Sequence, residues 1–550
     1  MKLREFFARK RFGSLLAHAK DDHQIRYDSF RALLNHNRAA LHAMAELELL
    51  YYSDHPVDAR TITQNYGQLS EQVRGLTEAL NSLSGGKFAG LLEVCDNIDT
   101  RIAAQLAPRR PDLLAPTVLS LEQITPDMLS QVGGKAFNLA VLKNTLKLPV
   151  PAGFVMTAAA TARFLADNAL KDRIREELAQ LSPEDLADLE AGSARIRQMV
   201  MEAPVPSDLA AAIGSAYAAL EAATTRNVRI AVRSSAVGED GDASFAGQYS
   251  SVLNVTRDGV LDAFKRVVAS KYSPRAISYR QLLGLEDEDT PMCVIGLAMV
   301  EASASGVMYS LNPASRDPSQ VQISSLWGLG EQLVSGAATP DTFLIDKRDG
   351  TVVERHIANK PARLIALPEG GTRLEETGAS QQALPSLTDP SLRQLVAGTL
   401  HIEAHYQSAQ DIEWAIDAGG QPYFLQTRPL HIEPDTIPEP DADLSGLDTI
   451  MHTGIAVSRG IAVGQVFIIR NEKNLAEIPD HAILVTPTAS PAYAAIMGRI
   501  AALITDAGSI TSHLASVARE FGIPGIMEAG DATTRLTHGE TVTVVAESGV

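Results

Sequence analysis

The sequence predicts a multidomain protein that combines α/β and α+β parts behind a helical N-terminal segment. Residues 1–107 carry apolar residues at helical spacing and contain a single proline, Pro56. Residues 117–432 alternate strand-like and helix-like patterns, and this stretch is long enough to form two lobes. Residues 448–550 hold short apolar strands around one helical pattern. We therefore expect three domains with these boundaries.

Two proline-bearing segments separate the three predicted domains. The first reads APRRPDLLAP over residues 107–116, and the second reads EPDTIPEPDAD over residues 433–443. Proline-rich chain is semi-rigid and extended, at about 3.1 Å per residue. The second segment could therefore set the third domain well apart from the body.

Composition and charge limit the kinds of partner. The 550 residues include 48 basic and 66 acidic side chains, for a net charge of -18. An acidic chain is a poor nonspecific binder of nucleic acid, which requires a basic face. The two cysteines, Cys95 and Cys293, are far apart and lack metal-ligand spacing, so a reducing cytoplasm is the expected location. No apolar run approaches the length of a transmembrane helix, so no integral membrane segment is expected.

The most informative segment reads GSITSHLASVAREFGIP over residues 508–524. A strand-like run leads into a Gly-Ser-Ile-Thr-Ser turn, and a helical pattern begins with His513 in its first turn. The free N–H groups and the dipole of a helix start favour an anion. Thr511 and Ser512 are suitable N-cap residues and could donate to phosphate oxygens. His513 is therefore a candidate phosphoryl acceptor; the alternative is a capping histidine without chemistry.

Two basic residues stand beside glycines in the predicted body. Lys135 follows Gly-Gly at the start of a helical pattern, and Arg233 ends an apolar strand before a loop with three glycines. A mobile ammonium, a bidentate guanidinium and closely approaching backbone N–H groups all suit phosphate binding. The alternatives are a surface lysine after a turn and a strand-end arginine. Glu331, just inside another helix start, could be functional or could simply complement the helix dipole.

The segment DIEWAIDAGGQPYFLQTRPL, residues 411–430, predicts a hairpin around a Gly-Gly turn. Side-chain alternation places Asp411 and Glu413 on one face, and Gln426 and Arg428 share a face of the return strand. A carboxylate and an amide oxygen beside an arginine would suit Mg²⁺ and a triphosphate. A plain salt bridge between Glu413 and Arg428 is the alternative.

Taken together, these segments resemble the phosphoenolpyruvate synthase and pyruvate phosphate dikinase family. The resemblance covers residues 120–550 approximately, with the motifs in the order of the family. The segments that resemble its ATP-grasp nucleotide-binding half and its swivelling phosphohistidine domain are VGGKAFNLAVL, PVPAGFVMT, AVRSSAVGEDGDASFAGQ, SPRAISYR, SASGVMYSLNP, WGLGEQLVSGAATPD, DIEWAID, LQTRP and GSITSHLASVAREFGIP.

The resemblance implies a fold and a role for each matched residue. Residues 117–432 would form a two-lobed ATP-grasp domain, and residues 448–550 a small β/β/α-type swivelling domain. In such enzymes ATP gives AMP and inorganic phosphate, and the β-phosphoryl group passes through the histidine to an acceptor, pyruvate or another small molecule. The implied nucleotide-binding residues are Lys135, Arg233, Gly247 in its covering loop, and Arg428. The implied Mg²⁺ ligands are Glu413 and Gln426, and the implied phosphoryl acceptor is His513.

The sequence also departs from the family pattern. Leu297 and Ala298 stand where the family has Gln and a basic residue before the methionine of its adenine segment, which bears on base preference. The family's C-terminal pyruvate-binding barrel is not found, and a helical segment precedes the body. We therefore expect the acceptor site on the N-terminal helices, in a further part of the chain or on a partner subunit. The sequence does not decide whether the protein forms a homo-oligomer.

Two functions follow from the sequence. The first is an ATP-dependent dikinase-type phosphotransferase that works through phosphorylated His513. The second is a nucleotide-binding regulatory or scaffold protein that has lost phosphotransfer, which the changes at Leu297 and Ala298 motivate. The joint presence of the implied nucleotide, metal and acceptor residues favours the first function.

Overall fold

The computed structural model describes most of the chain. The described residues are 2–51, 59–106, 115–181, 186–237, 249–282, 285–313, 315–430, 449–469, 475, 478–510 and 512–546. They form a first compact unit of residues 1–109 and 281–286 and a second of residues 110–280 and 287–550. The predicted boundary between body and third domain stays a prediction, since the second unit contains both.

Helices and strands occur where the alternating patterns predict them, and the mixed multidomain class is confirmed. The helices are α1 Lys2–Tyr51, α2 Ala59–Leu83, α3 Gly90–Leu106, α4 Leu129–Ala140, α5 Ala158–Asp167, α6 Leu170–Gln180, α7 Leu186–Glu202, α8 Ser207–Ala223, α9 Val260–Ser270, α10 Pro274–Leu282, α11 Glu331–Val334, α12 Asp389–Tyr406, α13 His513–Glu520 and α14 Ala532–Arg535. The strands are β1 Val118–Ser120, β2 Gly153–Met156, β3 Ile230–Ser234, β4 Ser251–Val255, β5 Val294–Ala298, β6 Ala302–Tyr309, β7 Gln320–Trp327, β8 Asp341–Asp346, β9 Val352–His356, β10 Ala362–Ala366, β11 Thr372–Glu376, β12 Gln410–Asp417, β13 Pro422–Pro429, β14 Ile455–Ser458, β15 Ile461–Ile468, β16 Ile483–Thr488, β17 Ala502–Ala507, β18 Gly525–Met527 and β19 Thr541–Val545.

The first unit contains the helices α1, α2 and α3. Helix α1 is one element of 50 residues, so a single helix accounts for almost half of the predicted helical segment. Helix α2 packs along α1, and α3 packs on α2. None of the described helices is long and apolar enough to cross a membrane.

The body of the second unit contains two large antiparallel sheets and a two-stranded antiparallel ribbon of β10 and β11. The first has the strand order β1-β2-β5-β3-β4, and the second has the order β13-β12-β6-β7-β8-β9. Both sheets contribute to one hydrophobic core, in which Ile295 of the first sheet and Ile412 of the second are buried. Only residues 299–301 separate β5 of the first sheet from β6 of the second, so the chain passes directly from one sheet to the other at this point.

The C-terminal part of the second unit is built on a sheet with the order β14-β18-β17-β16-β15-β19. Strands β15, β16, β17 and β18 are parallel to one another, whereas β14 pairs antiparallel with β18 and β19 pairs antiparallel with β15 at the edges. Helix α13 lies between β17 and β18 in the chain, and its residues Leu514 and Ala518 are fully buried in the core of this part. The sheet thereby fixes the position of the helix that begins with His513.

Candidate active site

A cavity of about 660 Å³ lies between the two antiparallel sheets of the body. This volume falls within the range of small-molecule sites in proteins. The charged and carboxamide side chains that line it come from widely separated segments. They are Lys135, Arg233, Arg275, Glu331, Asp411, Glu413, Gln426 and Arg428. The cavity thus brings together all the implied nucleotide and metal residues that lie in the described part of the body; Gly247 lies outside the described residues.

Lys135 enters the cavity from helix α4. The preceding Gly133 has a φ of 76°, and a Cβ atom there would lie 1.7 Å from the carbonyl oxygen of Ser235. Glycine is therefore required for the turn that brings α4 against β3. Lys135 is only 9% exposed, and its Nζ donates to the Ser234 hydroxyl at 3.3 Å. This is a buried ammonium held at the cavity wall, so the alternative of a surface lysine is wrong.

Arg233 connects the two sheets across the cavity. Its Nη2 lies 2.6 Å from Oε2 of Glu413 and 3.0 Å from Oε1 of Gln426. Glu413 and Gln426 are direct register partners on β12 and β13, which explains why one nitrogen reaches both oxygens. Burial disfavours the Glu413 carboxylate, but Arg233 and then Lys135 outweigh this effect, so the pKa of Glu413 is lowered. Glu413 is therefore an anion in the folded protein at neutral pH.

Arg428 forms its salt bridge with Asp411. The alternative expectation, a salt bridge between Arg428 and Glu413, is therefore wrong. Arg428 and Asp411 are opposite each other in the register of β12 and β13. Nε and Nη2 of Arg428 donate to Oδ2 of Asp411 at 2.9 and 2.7 Å. Burial raises the pKa of Asp411, and Arg428 opposes this rise. Asp411 thus orients Arg428 at the cavity, a role that the sequence did not predict.

Two further charged residues line the cavity. Arg275 stands within the segment SPRAISYR, and burial lowers its pKa to about 10. Glu331 begins α11, and burial raises the pKa of its carboxyl group. The segment SPRAISYR carries part of the family resemblance, but the sequence analysis assigned Arg275 no role. Together with Lys135, Arg233 and Arg428, Arg275 makes the cavity rich in cations, as a polyphosphate site requires.

The end of β5 and the residues directly after it form an apolar wall of the same cavity. Leu297, Ala298, Met299 and Val300 all line it. Backbone pairing holds the segment in place, because the N–H of Met299 donates to the carbonyl of Arg229 at 2.8 Å. Leu297 and Ala298, at which the sequence departs from the family pattern, thus lie at the cavity surface.

The oxygens of Glu413 and Gln426 fit a divalent metal ion in kind and in placement. A carboxylate oxygen and an amide oxygen are ligands that Mg²⁺ accepts, with water and substrate phosphates completing the shell. Both already converge on one cationic nitrogen, Nη2 of Arg233. No group of three or more His, Cys, Asp or Glu side chains suited to a metal occurs within the described residues. The pair thus supplies two oxygen donors of the kind that Mg²⁺ accepts.

His513 is the first residue of α13, as the sequence predicts. Ser512 is the N-cap, and its hydroxyl accepts from the N–H of Ala515 at 3.3 Å. Thr511, the other predicted cap residue, lies outside the described residues. The cap is thus made by Ser512, which leaves His513 at the helix start.

The loop before His513 contacts the body beside the cavity. Gly336 follows α11, whose first residue lines the cavity, and has a φ of +71°. A Cβ atom at Gly336 would lie 2.8 Å from Cβ of Ala489 and 3.2 Å from Cβ of Ser512. The missing side chain therefore allows the two surfaces to meet. Since Ser512 directly precedes His513, the start of α13 lies next to this wall of the cavity.

Helix α13 also faces Tyr309, the last residue of β6. Tyr309 is fully buried, and burial, with the charge of Asp411, raises its pKa to about 12. The charges of Arg519 on α13 and of Arg428 on β13 oppose this rise. The guanidinium of Arg519 is held by the carbonyls of Val457 and Ile510 at 3.2 and 3.1 Å. These two bonds hold the Arg519 side chain in place on α13.

Comparison with known proteins decides the family. Residues 129–444, more than half of the chain, match the family described as pyruvate phosphate dikinase, AMP/ATP-binding domain. This chain belongs to the pyruvate phosphate dikinase family. Residues 478–549 match a second family, described as PEP-utilising enzyme, mobile domain. The cavity thus lies in the AMP/ATP-binding domain of this dikinase family member, and His513 lies in the mobile domain.

Curated relatives of this dikinase family member are named phosphoenolpyruvate synthase. The protein of Aeropyrum pernix is 33% identical over 474 residues, which covers 79% of this chain and 57% of the relative. The protein of Escherichia coli is 35% identical over 452 residues, with 79% and 57% covered. A probable phosphoenolpyruvate synthase of Archaeoglobus fulgidus is 36% identical over 437 residues, with 79% and 58% covered. The chain therefore spans little more than half the length of these relatives.

Proposed function

We propose that this protein is an ATP-dependent dikinase-type phosphotransferase that carries the β-phosphoryl group of ATP on His513. The observation that carries the proposal is the contact of Ser512 with Gly336, because it sets the start of α13 beside a cation-rich cavity in an AMP/ATP-binding domain. A histidine that only capped a helix would need no such neighbour. The second function, a regulatory or scaffold role, lacks an observation of this kind.

The proposed role of each cavity residue follows from its chemistry. Lys135, Arg233 and Arg428 are cations at its polar end, where they would hold the phosphates and neutralise charge that builds on their oxygens. Leu297 and Met299 form the apolar wall, against which a purine ring would pack. The nucleotide would thus lie with its base near the crossing between the sheets and its phosphates toward the β12–β13 hairpin.

Glu413 and Gln426 would hold Mg²⁺. The ion would supply charge neutralisation at the phosphates when it is bound. Arg233 now engages both oxygens, so it would exchange them for phosphate oxygens when nucleotide and metal enter. A guanidinium suits both partners, because carboxylate and phosphate present similar acceptor geometry.

The transfer step would use the neutral imidazole of His513 as nucleophile. A ring nitrogen forms a bond to the β-phosphorus, and the bond from that phosphorus to the AMP oxygen breaks, with its electron pair leaving on AMP. Water then releases the terminal phosphoryl group as inorganic phosphate. The phosphoryl group that remains on His513 would pass to an acceptor, pyruvate or another small molecule, outside the cavity described here.

Product analysis tests the proposal. The full chain incubated with ATP and Mg²⁺, without an acceptor, should form about one AMP and one inorganic phosphate per protein molecule and then stop. Formation of ADP would contradict the proposed step. Nucleotide that stabilises the protein thermally without forming AMP would favour the regulatory function instead.

A further inference from the structure

An apolar stripe runs along the exposed side of helix α1. Phe30 and Leu34 are each 51% exposed, and the other members are more exposed still. The α1 stripe consists of Tyr27, Phe30, Leu34, Leu41, Met44 and Tyr51. Their spacings are those of the a and d positions of a heptad repeat, which two polar residues, Asn37 and Glu48, complete. The pattern is that of a helix-pairing seam and not of scattered surface residues.

Helix α2 does not cover this stripe, because it packs on a different side of α1. The side of α1 toward α2 contains the buried Ala40 and Ala43. On that side Nδ1 of His36 lies 2.9 Å from Oε1 of Gln72 on α2. Helix α1 therefore carries two seams, of which one is used within the first unit and the α1 stripe is left exposed.

We propose that the α1 stripe binds the α1 stripe of a second copy of this chain, with the two helices antiparallel. The composition fits a homodimer interface, since aromatic residues and methionine are enriched at interface cores. Residues 26–51 would span about 39 Å at 1.5 Å per residue. That length holds more than three heptads, enough for a stable pair of helices.

The distribution of charge along α1 favours pairing with a second copy in the antiparallel direction. Residues 26–38 contain three arginines and one aspartate, whereas residues 39–51 contain two glutamates and no lysine or arginine. In this heptad register Glu48 lies in the seam and Arg31 beside it at an e position, whereas Glu46 lies at an f position, away from the seam. Antiparallel pairing about the centre of the stripe places Glu48 of one helix beside Arg31 of the other. Parallel pairing would place like charges together, which is unfavourable. The helix is thus complementary to itself in one orientation.

The test is the mass of the full chain in solution by light scattering during gel filtration, over a range of protein concentrations. We expect twice the chain mass of 58.8 kDa. The variant Leu34→Glu/Leu41→Glu should run at the single chain mass. The matched control Val353→Glu/Leu374→Glu adds the same charge at residues 53% and 52% exposed on β9 and β11, and should remain dimeric. A monomeric natural chain at every concentration, or a dimeric stripe variant, would overturn the proposal.

Two charge-exchange variants test the interface even if the stripe variant does not fold. Arg31→Glu and Glu48→Lys should each associate at least tenfold more weakly than the natural chain. Mixed together, they should form a heterodimer, because their charges again complement each other. Mixing that restores no association would also overturn the proposal. Neither outcome depends on phosphoryl transfer by His513.

Discussion

Arg233 and Glu413 lie 180 residues apart in the chain, yet Nη2 of the arginine is 2.6 Å from Oε2 of the glutamate. Arg233 lies next to the last residue of β3 in one sheet, and Glu413 lies on β12 in the other. Their ion pair therefore joins the two sheets across the cavity. The same nitrogen reaches Gln426, so one guanidinium arranges both oxygens of the proposed metal site.

Substitution of Glu413 tests this arrangement. Glu413→Gln keeps an acceptor for Arg233 but removes the charge that a divalent ion requires. We expect phosphorylation of the protein by ATP to fall by about 100-fold or more, as for other losses of transition-state electrostatics. The measurement is the initial rate of AMP release at several Mg²⁺ concentrations.

Glu403→Gln is the matched control. Glu403 lies on α12 and pairs with Lys347 at 2.7 Å, and it does not line the cavity. This variant should keep the natural rate within about twofold. Equal losses in the two variants would show that Glu413 acts only through stability.

Gly336→Asn tests the contact between the loop before His513 and the body. Asparagine tolerates a positive φ, but its side chain would press on Ala489 and Ser512. We expect AMP formation to fall at least tenfold while an ATP analogue still raises the melting temperature. Gly350→Asn is the control, because its φ of +72° is matched and no atom lies within 4 Å of the added Cβ. Loss of nucleotide binding in Gly336→Asn alone would instead place Gly336 in the nucleotide site.

Much of the hairpin could be predicted from the sequence because strand side chains alternate strictly. Asp411, Glu413, Gln426 and Arg428 share one face as that rule requires. The partner of Arg428 could not be predicted, since it depends on register. The approach of Arg233 to Glu413 depends on how two sheets pack, which no local pattern encodes.

In the mobile domain, too, the local structure could be predicted from the sequence and the contact with a distant segment could not. The start of α13 at His513 was predictable from the Ser and Thr that precede an apolar helical pattern. The contact with Gly336 was not, because that glycine lies in a distant segment and its φ follows from the local turn. In the first unit, apolar spacing predicted helices but could not show that one of them runs through 50 residues.

Glu528 should make stability depend on pH. Burial raises its pKa from 4.5 to about 7. The folded protein therefore keeps this proton over a range in which the unfolded chain loses it, so the contribution of Glu528 to the free energy of unfolding falls as pH rises from about 4.5 to 7. Glu528→Gln should remove this decline, as measured by urea denaturation at pH 5 and pH 7.5. A natural chain and variant with the same pH dependence would contradict the assignment.

Lys360 and Asp341 form a fully buried ion pair in the body. Lys360→Met should lower the free energy of unfolding by about 3–5 kcal/mol, because it leaves the Asp341 charge buried without its cation. The exposed pair of Arg355 and Asp389 serves for comparison, and Arg355→Met should cost under about 1 kcal/mol. Denaturant titrations of both variants give the two values, and similar costs would contradict the expected effect of burial.

The most direct test of the central claim uses ATP labelled with radioactive phosphorus in the β position. With Mg²⁺, the natural chain should retain an alkali-stable, acid-labile label, and His513→Ala should retain none. His452→Ala, at an exposed histidine of the same C-terminal part, should label like the natural chain. Label that persists on His513→Ala would contradict the account, and so would a natural chain that releases AMP without ever becoming labelled.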